Sequence, residues 1–184
     1  MWDKLAQAGL VVTGLGVSDA HTAKQGWRPG PGNPVRWVTR IWAESVEEPD
    51  LIRGLRRGHV FFADPSAFRG ELEMRGPNGA QMGDVLEVRD GKAPALAVRC
   101  TGLQAGDLVA WLCNGRLVHA VQATGDAVED EWRPEAPMAG LQAIRVQVHR
   151  PSLVGGAWGG GVACGNPIYL THEAPATGHR VLEC

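Results

Sequence analysis

The chain has 184 residues, of which 18 are Lys or Arg and 20 are Asp or Glu, so its formal charge is −2. A balanced surface of this kind lacks the positive field that attracts nucleic acid or an anionic membrane, so we expect neither as a partner. Apolar residues make up 44% of the chain, as in ordinary globular proteins, and the 25 glycines favour many turns over a helix bundle.

The N-terminal stretch predicts half of an α/β unit. Residues 2–8 are typical of the last turns of a helix, and Gly9 is placed to end it. The apolar run at 10–17 does not alternate, which is typical of a buried strand in a parallel sheet. Because a lone parallel strand cannot form a sheet, we expect its neighbours to come from the β module, an upstream portion or another polypeptide.

A strand and a helix follow a loop rich in Gly and Pro. The loop spans residues 26–34, and residues 35–43 alternate as a strand does. Pro49 suits the first turn of the next helix, the arginines at 56 and 57 suit its last turn, and Gly58 ends it.

From His59 onward, short apolar or alternating runs recur between turn signals, which is typical of a β-sandwich. Asn114-Gly115 is the typical sequence of a two-residue hairpin turn. The runs predicted as strands are 60–63, 68–74, 85–88, 96–100, 108–113, 117–123, 144–148 and 168–170. The expected fold class is therefore α/β followed by all-β, with an α/β piece over residues 1–63, a β-sandwich over 64–172 and a polar tail over 173–184.

Neither the cysteines nor the apolar runs predict a zinc knuckle or a membrane span. The four cysteines lack CxxC spacing, and we expect Cys100 and Cys113 to be small buried residues. No apolar run approaches the roughly 18 residues of a membrane helix. Residues 8–17 resemble a short signal-peptide core, but Asp3 and the interrupting glycines disfavour that interpretation, so the cellular compartment stays open.

The sharpest candidate site is Asp19 with His21, just after the first predicted strand. In an extended backbone these side chains point to the same side, so a carboxylate oxygen and an imidazole nitrogen can reach one cation. Taken alone, the pair is better explained as a capping Asp beside an exposed His. Arg36 is a second candidate, since an Arg beside a metal would bind a phosphate or carboxylate, although an exposed strand Arg is the simpler interpretation.

Four motifs follow one another along the chain: GVSDAHT at 16–22, GPGNPVRWV at 30–38, LIRGLRRGHVFF at 51–62 and GNPIYL at 165–170. In this order they resemble the C-terminal half of the CehA/McbA-type hydrolases of the polymerase-and-histidinol-phosphatase (PHP) superfamily. The resemblance spans residues 2 to about 170.

The resemblance implies the terminal strand and helix elements of a PHP-type β/α barrel followed by a β-sandwich. It assigns metal-ligand roles to Asp19 and His21, with two or three divalent ions, commonly zinc, manganese or iron, and a metal-activated water that attacks a phosphate or related ester. The family's early His-x-His pair and its further ligands have no counterpart in this sequence. We therefore expect a fragment with little activity alone, which an upstream-encoded chain or a homo-oligomer would complete.

A binding module is the alternative function. Three tryptophans of the β portion, Trp111, Trp132 and Trp158, would offer an aromatic platform to a carbohydrate or a partner protein. We expect Trp111 to lie in the core and the other two to lie at the surface.

Overall fold

The computed structural model describes residues 2–17, 37–136, 140–151 and 160–172. Within these ranges the chain is mostly β, with two α-helices and a 3₁₀ turn at Pro77–Gly79. The helices are α1, Trp2–Gln7, and α2, Glu48–Arg57. The strands are β1 Val38–Ile41, β2 Val60–Ala63, β3 Leu72–Arg75, β4 Val85–Glu87, β5 Leu96–Thr101, β6 Leu108–Cys113, β7 Arg116–Gln122, β8 Ala127–Trp132, β9 Leu141–His149, β10 Gly161–Gly165 and β11 Ile168–Thr171.

The larger sheet has eight strands and is organised around the long strand β9. One edge of β9 pairs with β6, which pairs in turn with β7. The other edge pairs with β10 and then β11, which lie end to end along it. Beyond them, β10 pairs with β2 and β2 with β1, while β11 pairs in parallel with β4. This sheet contains strands from both sides of the predicted boundary at residue 63.

The smaller sheet is the antiparallel order β3-β5-β8, and it packs against one face of the larger sheet. Strand β5 alternates strictly, with Leu96, Val98 and Cys100 buried and the intervening residues exposed or partly exposed. Their partners in the core include Trp111 and Ile144 of the larger sheet. The period of two along these strands therefore places the core between two sheets.

Helix α1 lies on the opposite, outer face of the larger sheet. Arg145 of β9 donates through Nη2 to Asp3 Oδ2 at 3.1 Å, and Ala6 is fully buried beside Ala143 and Tyr169. Asp3 also lies against the hairpin turn, since a Cβ on Gly115 would come within 2.8 Å of its Oδ2. The helix thus fixes the position on the outer face at which residues 10–17 begin.

Helix α2 has the ends that its sequence predicts. Pro49 stands in its first turn, and Gly58 ends it with φ of 72°. The amides of Gly58 and His59 donate to the carbonyls of Leu55 and Gly54, which is the usual closure of a helix by a left-handed glycine. Gly54 is buried against β1, where a Cβ would lie 2.6 Å from Ile41 Cγ2.

Most of the predicted strands are confirmed, as is the hairpin turn, in which Asn114 and Gly115 have φ of 49° and 81°. Strands β8 and β10 were not predicted. Strand β8 carries Glu129, Asp130 and Glu131 in succession, and the apolar run of β10 is only three residues long, Val162 to Cys164, between two glycines. The fold is accordingly mostly β and antiparallel apart from the β4–β11 pair, and no barrel portion occurs in the described ranges.

The prediction of a buried strand at residues 10–17 is wrong for the chain as it stands. These residues form no backbone ladder, and Leu10, Val11, Leu15 and Val17 are 37–63% exposed. The physical reason is that no strand of the described chain lies beside them.

None of the helices in the described ranges is long and apolar enough to cross a membrane.

Candidate functional site

The three residues predicted for the site, Asp19, His21 and Arg36, lie outside the described residues. The structure instead describes the two stretches that flank them. Residues 10–17 lead into Asp19, and Trp37 with β1 follows Arg36. We call these two flanking stretches, together with the residues that hold them, the scaffold of the candidate site.

Three side chains of the larger sheet and its connections hold residues 10–17 at every second position. The Tyr169 hydroxyl accepts the Val12 N–H at 3.3 Å and donates to its carbonyl at 3.1 Å. The Asn166 amide accepts the Gly14 N–H at 2.7 Å and donates to its carbonyl at 2.9 Å. The Thr39 hydroxyl accepts the Gly16 N–H at 3.0 Å and donates to its carbonyl at 2.9 Å. Each side chain therefore satisfies both backbone groups of one residue, as the edge of a neighbouring strand would.

The position of each of these three residues in the larger sheet explains why their side chains all contact residues 10–17. Thr39 pairs with Phe62 in register, and Tyr169 pairs with Ala143, so both are placed by strand alternation. Asn166 lies in the bend between β10 and β11, is 1% exposed, and donates a further hydrogen bond to the Val60 carbonyl at 2.9 Å. Sequence reasoning gave these residues no role, because their partners lie far away along the chain.

Residues 16 and 37, which flank the stretch with the candidate ligands, are in contact. A Cβ on Gly16 would lie 3.0 Å from the Trp37 Cβ and 2.6 Å from the Phe62 Cβ. The Phe62 and Trp37 rings meet edge to face at 5.4 Å. Only a glycine at position 16 permits this close approach, so Gly16 and Trp37 lie side by side.

Residues from all four quoted motifs meet at this scaffold. A Cβ on Gly58, at the end of α2, would lie 3.2 Å from the Thr13 hydroxyl oxygen. Nearby, Gly83 donates its N–H to the Pro167 carbonyl at 2.7 Å. A Cβ on Gly83 would lie only 1.8 Å from the Arg57 carbonyl oxygen. The motif residues at 16, 37, 58 and 166 thus belong to one packed region, although 150 positions separate the first from the last.

The other edge of residues 10–17 is open. Within the described part of the chain, no hydrogen bond engages the backbone groups of Val11, Thr13, Leu15 or Val17. In an extended backbone these odd positions point away from the even positions that Tyr169, Asn166 and Thr39 bind. Residues 10–17 therefore present one satisfied and one unsatisfied backbone edge.

Three described histidines have hydrogen-bond partners within the fold. His59 Nε2 lies 3.3 Å from Asp84 Oδ1, and His149 Nε2 lies 3.2 Å from Gln147 Oε1. His119 Nε2 lies 3.0 Å from Asp130 Oδ2, the same oxygen that accepts the Trp111 indole N–H at 2.8 Å. Asp130 thereby links the smaller sheet to the larger one, which is a structural role.

Asp84 shows how the fold tunes the carboxylate beside His59. Burial raises the pKa of Asp84, but hydrogen bonds from His59 and from the Gln81 N–H, with the charges of His59 and Arg57, outweigh burial and lower it. The same carboxylate accepts the Gln81 N–H at 2.9 Å. Asp84 is therefore an ionised residue that holds the start of β4 against the end of α2.

No group of three or more His, Cys, Asp or Glu side chains in the described ranges is arranged to hold a metal ion. The described thiols, Cys100, Cys113 and Cys164, are free. Burial raises the pKa of all three, that of Cys100 to about 12, so each stays protonated near neutral pH.

The structure describes two of the three tryptophans that the alternative binding module would use, and one of the two lies where the sequence predicts. Trp111 is fully buried, as expected. Trp132, expected at the surface, is only partly exposed and packs against Trp111 with ring centroids 5.9 Å apart. Trp158 lies outside the described residues.

A polar cavity of about 260 Å³ lies beside α2. Three arginines and three carboxylates line it, and they pair within the cavity: Arg53 with Asp50 at 2.7 Å, and Arg75 with Glu73 at 2.6 Å. The charges in the lining of this cavity are balanced, so they favour neither an anion nor a cation as its ligand.

In comparisons with known proteins, no family model, no curated protein and no solved structure matched this chain.

Proposed function

We propose that this chain is the C-terminal part of a metal-dependent hydrolase similar to the CehA/McbA-type PHP proteins, and that Asp19 and His21 bind a divalent cation. The observation that carries the proposal is the attachment of residues 10–17. Tyr169, Asn166 and Thr39 hold this segment at alternate residues, the last of which, Gly16, lies three positions before Asp19. This attachment supports the proposal because it holds the backbone at Gly16, three positions before Asp19, against the rest of the fold.

The donor set fits a metal of the zinc, manganese or iron kind, since a carboxylate and an imidazole are the ligands these ions share. In the proposed roles, Asp19 binds the cation through a carboxylate oxygen and His21 through a neutral ring nitrogen. Arg36 binds an anionic oxygen of the ester. A bound divalent cation would supply a water that is nucleophilic near neutral pH and would offset charge on the leaving oxygen.

The proposed site takes further ligands from outside this chain. Two ligands bind a metal weakly, so the isolated chain is expected to have little activity. The remaining donors would come from an upstream-encoded chain or from a second copy in a homo-oligomer. The substrate is proposed only as a small-molecule phosphate or related ester.

The test is metal content and ester hydrolysis of the purified chain and of its complex with the upstream-encoded polypeptide. Bis-p-nitrophenyl phosphate is the substrate, with zinc or manganese added. We expect activity in the complex only, and its loss in Asp19→Asn and His21→Gln. The control is His172→Gln, which alters an exposed histidine after β11. Equal metal binding by wild type and both site variants would refute the metal site, and full turnover by the chain alone would refute the fragment.

A further inference from the structure

We infer that the polar cavity beside α2 binds an uncharged, hydroxyl-rich small molecule, such as a single sugar ring or a cyclic polyol. The cavity volume is about 260 Å³. Pockets for drug-sized ligands have volumes of roughly 300–1,000 Å³, so this cavity suits a smaller ligand of one ring. The inference goes beyond the proposed function, because none of the residues that line the cavity has a role in the proposed hydrolase site.

His59 offers the cavity a hydrogen-bond acceptor. The residue lines the cavity, is only 7% exposed, and has its Nε2 at 3.3 Å from Asp84 Oδ1. In the neutral imidazole, the bond to this ionised carboxylate keeps the hydrogen on Nε2 and leaves a lone pair on Nδ1. Within the described residues no group bonds to Nδ1, and the one buried side-chain nitrogen or oxygen without a partner is Gln142 Oε1. The Nδ1 atom is therefore not sealed in the interior, and a ligand in the cavity can donate a hydrogen bond to it.

Two further polar side chains of the lining have no partner. Arg57, at the end of α2, and Gln81, before β4, form no side-chain hydrogen bond or ion pair within the described part of the chain. A guanidinium supplies donors alone, whereas an amide supplies both donors and an acceptor. Together with His59 Nδ1, these groups leave donors and acceptors unused in one small cavity.

The ion pairs of the lining favour a ligand without charge. Arg53 pairs with Asp50 at 2.7 Å and lies 3.6 Å from Glu44. Arg75 pairs with Glu73 at 2.6 Å. A charged ligand would compete with these pairs, but a paired carboxylate keeps free lone pairs and a paired guanidinium keeps free N–H groups. A hydroxyl group donates to the first and accepts from the second without disturbing the balance of charge.

Trp42 adds an apolar group to this polar lining. Its indole N–H already donates to the Leu72 carbonyl at 3.2 Å, so what Trp42 offers a ligand is its ring surface. A sugar ring or a cyclic polyol likewise combines C–H groups with hydroxyls. An aromatic side chain beside a few polar groups is typical of small-molecule sites.

The experiment titrates the full chain with D-glucose and with myo-inositol and follows the ring nitrogens of isotope-labelled histidine by NMR. We expect a saturable shift of the His59 Nδ1 signal, because a ligand hydroxyl donates to this atom. Glucuronate and glucosamine keep the ring but carry opposite charges. Both should bind more weakly than glucose, since the lining favours neither charge.

Arg57→Met removes the guanidinium that has no partner and should weaken glucose binding at least about tenfold, since hydrogen bonds to charged groups are the stronger kind. The matched control is Arg56→Met, which alters the neighbouring exposed arginine outside the lining and should change binding less than twofold. Neither side chain has a partner in the described ranges, so both variants should unfold at the temperature of the wild type.

Saturable binding of glucose that Arg57→Met weakens and Arg56→Met does not would support the inference. Three results would overturn it: no saturable shift of His59 with either neutral probe, tighter binding of glucuronate or glucosamine than of glucose, or equal effects of the two variants. The titrations of the wild type alone decide the first two, so they hold even where a variant fails to fold.

Discussion

The side-chain amide of Asn166 bonds to both backbone groups of Gly14, which lies 152 residues away: Oδ1 accepts its N–H at 2.7 Å and Nδ2 donates to its carbonyl at 2.9 Å. An asparagine amide has the same donor and acceptor as a peptide group, so it stands in for one residue of a neighbouring strand. Tyr169 and Thr39 do the same with hydroxyl groups at Val12 and Gly16. Residues 12–16 are thereby joined to β1, to β11 and to the bend before β11.

Asn166→Asp is expected to destabilise the fold by about 1–3 kcal/mol, the usual cost of a buried polar group left without its partner. The change replaces the donor Nδ2 by an oxygen that faces the carbonyls of Gly14 and Val60. Urea unfolding measures the loss. Asn78→Asp, at an exposed turn residue, makes the same chemical change and should cost far less. Equal effects of the two changes would contradict the assigned role of Asn166.

Tyr169→Phe is expected to cost about 1 kcal/mol, since it removes one hydroxyl and its bonds to Val12 but leaves the ring in place. The local effect is more informative than the global one. Hydrogen exchange of the Val12 amide should accelerate much more than that of the Gly16 amide, which Thr39 holds. Uniform acceleration over residues 10–17 would mean that the segment detaches as a unit.

Gly83→Ala is expected to be far more destabilising than Gly106→Ala. Both glycines have a positive φ, +93° and +94°, which is a backbone conformation that strains any side chain. At Gly106 a Cβ meets nothing within 4 Å, whereas at Gly83 it meets the Arg57 carbonyl at 1.8 Å. We expect at least about 1–3 kcal/mol more at Gly83 from overpacking, measured by thermal unfolding. A difference below this range would show that Gly83 does not lie against the end of α2.

Arg150→Met is expected to cost about 3–5 kcal/mol, because it leaves the buried Asp107 charge without its partner. Arg150 holds Asp107 by two bonds, Nε to Oδ1 at 2.9 Å and Nη2 to Oδ2 at 2.7 Å. Guanidinium chloride unfolding at pH 7 gives the free energy. A loss below about 1 kcal/mol, the range of an exposed ion pair, would contradict the burial of this pair.

Acid should weaken the fold through the same carboxylate. Burial raises the pKa of Asp107, but hydrogen bonds from Arg150 and the Gln104 N–H, with the charge of Arg150, outweigh burial and lower it. A lowered folded pKa contributes stability above the unfolded value of about 3.9, and this stability is lost as the pH falls through the folded value. Asp107→Asn should flatten the dependence of stability on pH below about 4, measured by urea unfolding at a series of pH values, and an unchanged slope would contradict the role of this carboxylate.

Local sequence signals predicted the elements whose causes are local. Pro49 and Gly58 bound α2, Asn114-Gly115 forms the hairpin, and the alternation of β5 marks its buried face. Strand β8 escaped prediction because its exposed face is acidic and its buried face holds a single aliphatic residue, Val128.

The scaffold of the candidate site could not be predicted in the same way. Residues 10–17 have the composition of a buried strand, yet their partners are three side chains on β1, on β11 and in the bend before β11. No local pattern states that Asn166 will meet Gly14. The roles of Asp19 and His21 rest on the motif that contains them, that of Arg36 rests on its charge, and all three stay predictions.

The most direct test of how residues 10–17 are held is amide hydrogen exchange, resolved by residue with NMR, over this segment of the isolated chain. Because Tyr169, Asn166 and Thr39 engage only the even positions, we expect protection at Val12, Gly14 and Gly16 and rapid exchange at Val11, Thr13 and Leu15. An alternating profile would show one satisfied and one open backbone edge along this segment. Uniformly fast exchange, or protection of the odd positions, would contradict it.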